Sequence, residues 1–239
     1  MLDYLRLEVR RTLRDTGFVI GGIAMPVMMY LLFTNLGGGD DGGWKTASMV
    51  GMAAYGAVGS ALNTGGGVAE DKVIGWLRQL RVTPMTPREV VVGRALTGSV
   101  TVLPAITAVL TAGGLVNGVR LDAWQWAAIA VLLWLGSVPF TLLGLGNGYR
   151  LTAQTTGVAN MVCNLGLSVV GGLWFPLELF PGWLRSLAVY TPTNRFAQLG
   201  VSVADGHAPA AGGVAVLTAW LLAFGSYAVF AYRRSARTV

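Results

Sequence analysis

The sequence predicts an all-α, polytopic membrane protein. It has six transmembrane helices, an N-terminal amphipathic interfacial helix, and short re-entrant helices between spans five and six. Three observations carry this prediction. Hydrophobic residues make up 54% of the 239 residues and charged residues only 12%, about half the share of an average soluble chain. Six windows of membrane-crossing length contain no Asp, Glu, Lys, Arg or His. The basic residues, which give a net charge of +6, fall mainly in the segments between alternate windows. The same composition excludes other classes. The chain is too apolar for disorder. One cysteine, Cys163, excludes a disulfide scaffold, and with His207 as the lone histidine a zinc site lacks ligands.

A spanning helix needs roughly 20 mostly apolar residues. The first window runs from Gly17 to Leu36, the second, rich in small residues, from Thr46 to Gly66, and the third from Ala95 to Val116. The fourth covers Ala123 to Gly146, the fifth Thr155 to Phe175 and the sixth Gly212 to Tyr232. A charge at the bilayer centre costs at least about 2.5–3.5 kcal/mol, so the lack of charge supports each window. Thirteen of the seventeen Lys and Arg lie in residues 1–16, 67–94, 147–154 and 233–239. The remaining four, Lys45, Arg120, Arg185 and Arg195, lie on the other side. The positive-inside rule then puts both termini in the cytoplasm. Topology thus accounts for the basic excess, and no nucleic-acid partner is expected.

Residues 1–16 form the interfacial segment. Leu2, Leu5, Val9 and Leu13 recur on one helical stripe, and Arg6, Arg10 and Arg14 run beside it at spacing four. Such a helix lies in the headgroup layer with its arginines reaching outward; the alternative is a plain cytoplasmic extension of the first span. The acids and arginines there, and the lack of a small-residue cleavage site, argue against a removable signal peptide.

The longest cytoplasmic connection is residues 67–94. Glu70 and Asp71 suit the first turn of a helix, where acids favour the dipole. Trp76, Leu77 and Leu80 make an apolar face flanked by Arg78 and Arg81, and Thr83-Pro84 and Thr86-Pro87 end the helix. Glu89 begins a helical run into the third span. The pattern fits a docking element for a partner and a helix lying on lipid equally well. Residues 176–200 are too apolar for a solvated loop and are broken by Pro176, Pro181 and Pro192. They read as short helices dipping into the outer leaflet, with Glu178 the rare acid near that boundary and Trp183 and Tyr190 aromatic-belt anchors.

No catalytic residues and no metal ligands are expected. The stretch Gly39 to Thr46 resembles a phosphate loop only loosely, because Trp44 stands where its second glycine is required. The chain itself should not hydrolyse ATP. No ionisable group lies inside the windows, which weighs against proton coupling. Among the uncharged polar residues there, Asn63, Asn160 and Asn164 stand out; each fits interhelical bonding or a substrate pathway. Gly144, Gly146 and Gly148 fit close helix packing or a flexible exit from the membrane better than a dinucleotide fingerprint, whose third glycine would come later.

Two segments carry a resemblance. The run from Glu70 through Gly75, Trp76, Leu77, Arg78, Gln79, Leu80, Arg81, Val82, Thr83 and Pro84 to Gly93 and Arg94 resembles the cytoplasmic signature of bacterial ABC-2 type permeases. Glu70 lies one residue further from the glycine than usual, and Arg94 replaces the usual Lys. The run Gly171-Gly172, Phe175-Pro176, Phe180 to Leu184, Pro192 and Arg195 resembles that family's proline-rich outer element. Together with the span order they cover nearly the whole chain, 1–239, as a single transmembrane domain of the drug- or antibiotic-export-like branch. The resemblance implies a permease that pairs with a second permease chain, homo- or heterodimeric, above a dimer of ABC ATPase subunits. ATP and Mg would sit on those subunits, and this chain would carry no cofactor. Gly75 to Arg81 would be the coupling helix, and residues 2–14, with Arg6, Arg10 and Arg14, the connecting helix. Phe175, Glu178 and Trp183 would belong to the outer gate, and the exported substrate would be apolar or amphipathic. An ATP-independent channel or flippase, and a non-transporting scaffold or sensor subunit, are the alternatives.

Overall fold

Backbone polar groups in an apolar solvent must be satisfied within the chain, which leaves helices as the economical solution for an open-ended polypeptide. The computed structural model, which describes residues 14, 16–36, 42–73 and 87–238, is built on that solution; among the described residues all regular structure is helical. The chain enters through the turn Thr16–Phe18 and a π-helical stretch Val19–Ala24, then continues as α1, Met25–Leu36. The widened stretch directly precedes Pro26. A proline has no N–H to give the carbonyl four residues back and its ring collides with it, so the helix locally changes its winding.

Helix α2, Gly42–Val73, is the axis of the fold. Every residue from Ser48 to Val58 is buried, and most are Gly, Ala, Ser or Met. Small side chains let neighbouring backbones come close, and α1, α4, α6, α7 and α9 all pack on this helix. Helices α3 (Pro87–Val100) and α4 (Leu103–Leu115) meet at a short turn ahead of Pro104. Helices α5 (Ala123–Gly136) and α6 (Val138–Arg150) meet at Ser137 ahead of Pro139, where the Ser137 hydroxyl donates to the Trp134 carbonyl at 2.7 Å. The chain continues through α7 (Ala153–Val170), α8 (Gly182–Ala188), α9 (Pro192–Ala204) and α10 (Ala211–Thr238).

Three stretches are long and apolar enough to cross a membrane: Arg88–Leu115, Ala123–Arg150 and Ala211–Ser235. They match the third, fourth and sixth expected windows. The first window holds a shorter apolar helix, Val19–Asn35. The second and fifth lie in α2 and α7, which are helical but are not among the stretches with that length and hydropathy. Large apolar side chains on the outside, such as Leu115, Met161, Leu222 and Phe230, give the bundle an apolar exterior.

Two expectations on boundaries are corrected. Glu70 and Asp71 do not open a new helix; α2 runs past the expected end at Gly66, and both acids sit in its last turns. The fifth window ends at Val170 rather than Phe175, because Gly172 adopts φ +70° and turns the chain. Beyond it, Pro176 and Pro181 precede the 3-10 turn Leu177–Leu179 and α8, and Pro192 opens α9. Proline suits a helix start because its missing N–H has no helical partner there. Helix α9 buries Phe196, Leu199 and Val203 and packs on α5, α10 and α2. It is tied down at both ends. Asn194 Nδ2 donates to the Gly171 carbonyl at 3.1 Å, and Gln125 Nε2 donates to the carbonyls of Val203 at 2.9 Å and Ala204 at 3.1 Å.

Candidate functional site

The expected coupling helix, Gly75 to Arg81, lies outside the described residues, as do Arg6 and Arg10; Arg14 is described and exposed. Both flanks of the coupling segment are described. Asp71 in the last turn of α2 forms an ion pair with Arg94 in α3. An acid at a helix C-terminus opposes the dipole, and the arginine offsets that penalty. The next residue, Lys72, donates from Nζ to the carbonyls of Tyr149 at 2.9 Å, Leu151 at 3.0 Å and Gly148 at 3.4 Å. These are carbonyls at the end of α6, which lack helical partners and carry the negative pole of the helix. Partial burial lowers the ammonium pKa, while three carbonyl acceptors favour its charged form. The segment 74–86 therefore leaves α2 and rejoins α3 from two points fixed to one another and to α6.

A second feature runs through the middle of the bundle. Helix α2 crosses α6 at Gly65, Gly144 and Gly148. A β-carbon at Gly144 would lie 2.8 Å from the Leu62 Cα, and one at Gly148 would lie 3.0 Å from the Gly65 Cα. Gly146, on the opposite face, receives the ring of Tyr227 from α10. Of the two readings these glycines allowed, close packing and a flexible exit from the membrane, the structure has close packing. Beside the crossing, Asn160 of α7 donates from Nδ2 to the Leu62 carbonyl at 2.7 Å and accepts from Asn147 Nδ2 at 2.9 Å. Tyr227 Oη donates to Asn147 Oδ1 at 3.0 Å. One chain of hydrogen bonds thus joins α2, α7, α6 and α10 in an apolar setting.

The three asparagines named from sequence do not form one cluster. Asn160 is an interhelical bond. Asn63 is exposed on α2. Asn164 lies beside Gly59, and its Oδ1 is buried with no hydrogen-bond partner.

A third feature is a cavity of about 370 Å³ at the end opposite the Lys72 joint. Trp44, Phe175, Glu178, Asn194 and Gln198 line it, and the Trp174 Nε1 in its wall has no partner. Phe175 also stacks on Phe33 of α1, with ring centroids 5.6 Å apart. Two of the three expected gate residues, Phe175 and Glu178, meet here; Trp183 is 72% exposed and is not in the lining.

A family model described as "ABC-2 type transporter" matches residues 4–202. The chain belongs to the ABC-2 type transporter family. The permease is also 26% identical, over 222 residues, to "Putative transport permease YvfS" of Bacillus subtilis (strain 168), a match that covers 91% of this chain and 90% of that one. The family match spans both the Lys72 joint and the cavity at the opposite end. Sequence reasoning missed the partners that give these places their geometry. Asn147 and Tyr227 are isolated polar residues in apolar runs, and only the packing of α6 against α7 and α10 brings them together. Lys72 carried a weak signal, as a cation immediately after two acids. The ABC-2 family comprises membrane permease components that work with an ABC ATPase.

Proposed function

We propose that this permease is the membrane subunit of an ATP-driven exporter that moves a hydrophobic or amphipathic compound out of the cytoplasm or the inner leaflet. Two permease chains pair, six spans each, with both termini in the cytoplasm of a bacterial cell. The helix Gly75 to Arg81 seats in a groove of the ATPase subunit, with Trp76, Leu77 and Leu80 as its apolar face and Arg78, Gln79 and Arg81 around them. The helix with Arg6, Arg10 and Arg14 rides on the membrane surface beside it.

The observation that supports this reading best is the clamp at the two flanks of segment 74–86: Asp71 on Arg94, and Lys72 on the end of α6. A loop meant only to connect two helices has no need of fixed ends. A loop that receives a push must hand it to rigid elements, and this one is tied to α2, α3 and α6 together. From α6 the displacement reaches α7 and α10 through the Asn147 bonds, and through α2 the outer cavity lined by Phe175 and Glu178. Ordered movement of packed helices around a fixed joint is the usual form of such transitions. In this scheme Asn164, whose carbonyl oxygen lacks a partner, faces the pathway, while Asn160 maintains the frame.

The test is reconstitution in liposomes, with and without an ABC ATPase subunit that co-purifies with the chain. Transport of an apolar dye that requires both the ATPase and ATP supports the proposal. Equal dye movement by the permease alone, without nucleotide, contradicts it and favours a passive channel or flippase.

A further inference from the structure

The buried apolar side chains form two cores. One, with Met49, Ile106, Ile129 and Phe140, fills the half of the bundle that holds the Phe175 cavity. The other, with Val68, Val91, Leu145 and Tyr149, fills the half that holds the Lys72 joint. Two spans are interrupted where they pass from one core to the other. Arg88–Leu115 leaves the joint core at Ala95 and enters the cavity core at Val102, at the turn ahead of Pro104. Ala123–Arg150 passes between Phe140 and Leu142, within a helical turn of Pro139. Pro104 and Pro139 have no N–H for the carbonyls of Val100 and Leu135, four residues back. Helix α2 runs through unbroken, but it crosses between Leu62 and Val68 on Gly65, Gly66 and Gly67, and glycine weakens a helix interior.

One residue closes both turns. The indole N–H of Trp134, in the last turn of α5, donates to the Ser99 carbonyl at 3.0 Å. The Trp134 carbonyl accepts from the Ser137 hydroxyl at 2.7 Å and from the Ser137 N–H at 3.2 Å. Thr101 Oγ1 donates to the Gly98 carbonyl at 2.7 Å. Ser99 and Ser137 are buried. Side-chain donors thus serve carbonyls at the interruptions, which is how broken helices are tolerated in an apolar setting. The packing follows the same division, with α4 on α5 and α3 on α6. We propose that the two turns are one coupled hinge. Helices α4 and α5 swing as a pair of arms on α3 and α6, and Trp134 makes one turn follow the other. Close-packed cores move as bodies, and a few residues at element ends absorb the change. The cavity half thereby alters its angle to the half that flanks segment 74–86; the use of this motion in transport rests on the exporter reading above.

The experiment is pulsed electron–electron double resonance on the full-length permease in lipid nanodiscs, without ATPase or nucleotide. Cys163, the one native cysteine, is replaced by Ser, and spin labels are placed on pairs of introduced cysteines. Labelled permease is diluted with unlabelled permease, so that distances within one chain are read. Leu115→Cys with Phe230→Cys reports the α4 arm against the joint half, and Trp124→Cys with Phe230→Cys reports the α5 arm; all three side chains are exposed. Val92→Cys with Phe230→Cys, both beside the joint core, is the control. Both arm distributions should be broader than the control. Pro139→Ala supplies the missing N–H at the second turn and should narrow the α5 distribution to the control width. Through Trp134 it should narrow the α4 distribution as well. Trp134→Phe, which removes the linking N–H, should abolish the effect on α4 and leave that on α5. Arm distributions as narrow as the control overturn the hinge. An α4 distribution that Pro139→Ala leaves unchanged, or narrows equally with Trp134→Phe, overturns the coupling. If Pro139→Ala does not fold, Pro104→Ala read on the α5 arm is the reciprocal test, since coupling acts equally in both directions; an unchanged α5 distribution then overturns the proposal. Because no ATPase is present, failure here leaves the exporter reading untouched, and failure of ATP-dependent transport leaves this measurement valid.

Discussion

Asp71 and Arg94 form an ion pair between the end of α2 and the middle of α3, closing the two flanks of segment 74–86 onto each other. The two side chains are 30% and 33% exposed, so solvent screens the pair and its share of stability is at most about 1 kcal/mol. Its larger effect is positional. Arg94→Ala should shift the thermal midpoint little while lowering ATP-dependent transport severalfold, and Asp71→Arg with Arg94→Asp should recover part of the loss. Transport and stability falling in proportion would make the pair purely structural.

The α2–α6 crossing should be the least tolerant place in the bundle. Gly144→Ala puts a methyl group against the backbone of Leu62, and Gly148→Ala puts one against Gly65. Backbone cannot swing aside as a side chain can, so each should cost at least about 1–3 kcal/mol. Gly157→Ala and Gly166→Ala, where a β-carbon meets nothing within 4 Å, should be neutral. Thermal unfolding of the four variants in detergent, followed by size exclusion, checks the ranking.

Two asparagines one helical turn apart should behave differently. Asn160→Leu removes bonds to Leu62 and Asn147; interhelical hydrogen bonds in membranes average about 0.6 kcal/mol and reach about 1.7, so the thermal midpoint should fall. Asn164→Leu removes an oxygen that has no partner and should leave stability unchanged while altering the range of transported compounds. Transport panels with each single variant separate the two roles; identical profiles would contradict the division.

At the outer cavity, Phe175→Ala opens a wall that also packs on Phe33. Phe175→Ala should raise ATP-independent leak of the substrate in liposomes, and Glu178→Gln should change transport of cationic more than neutral compounds. Variants with leak and selectivity equal to wild type would remove the cavity from the exit route.

How much of this was legible beforehand follows from which physical signals are local. The windows around Ala123 and Gly212 rest on unbroken apolar runs, and the helices are there. The spacing of Gly144 and Gly148 suits close packing and a flexible exit from the membrane alike, and the backbones of Leu62 and Gly65 decide for packing. The end of the fifth helix is not visible in the sequence, since the run stays apolar to Phe175 and only the left-handed turn at Gly172 stops the helix. Glu70 and Asp71 suit a helix start because acids favour that end; Arg94, more than twenty residues away, is what lets Asp71 sit at a helix end instead. The Asn160–Asn147–Tyr227 bonds and the Lys72 cap depend on tertiary neighbours, and no local pattern announces them.

The most direct test of the account is whether Leu77 and Leu80, in the proposed coupling segment, are needed for the proposed ATP-driven transport. Leu77→Asp and Leu80→Asp are placed in the full-length permease, which is reconstituted with the ABC ATPase proposed to co-purify with it, and ATP-dependent transport is measured beside dimeric assembly. The account predicts that both variants assemble normally, lose the ATPase subunit on purification and lose ATP-dependent transport by an order of magnitude or more. Wild-type ATP-dependent transport in either variant would contradict it.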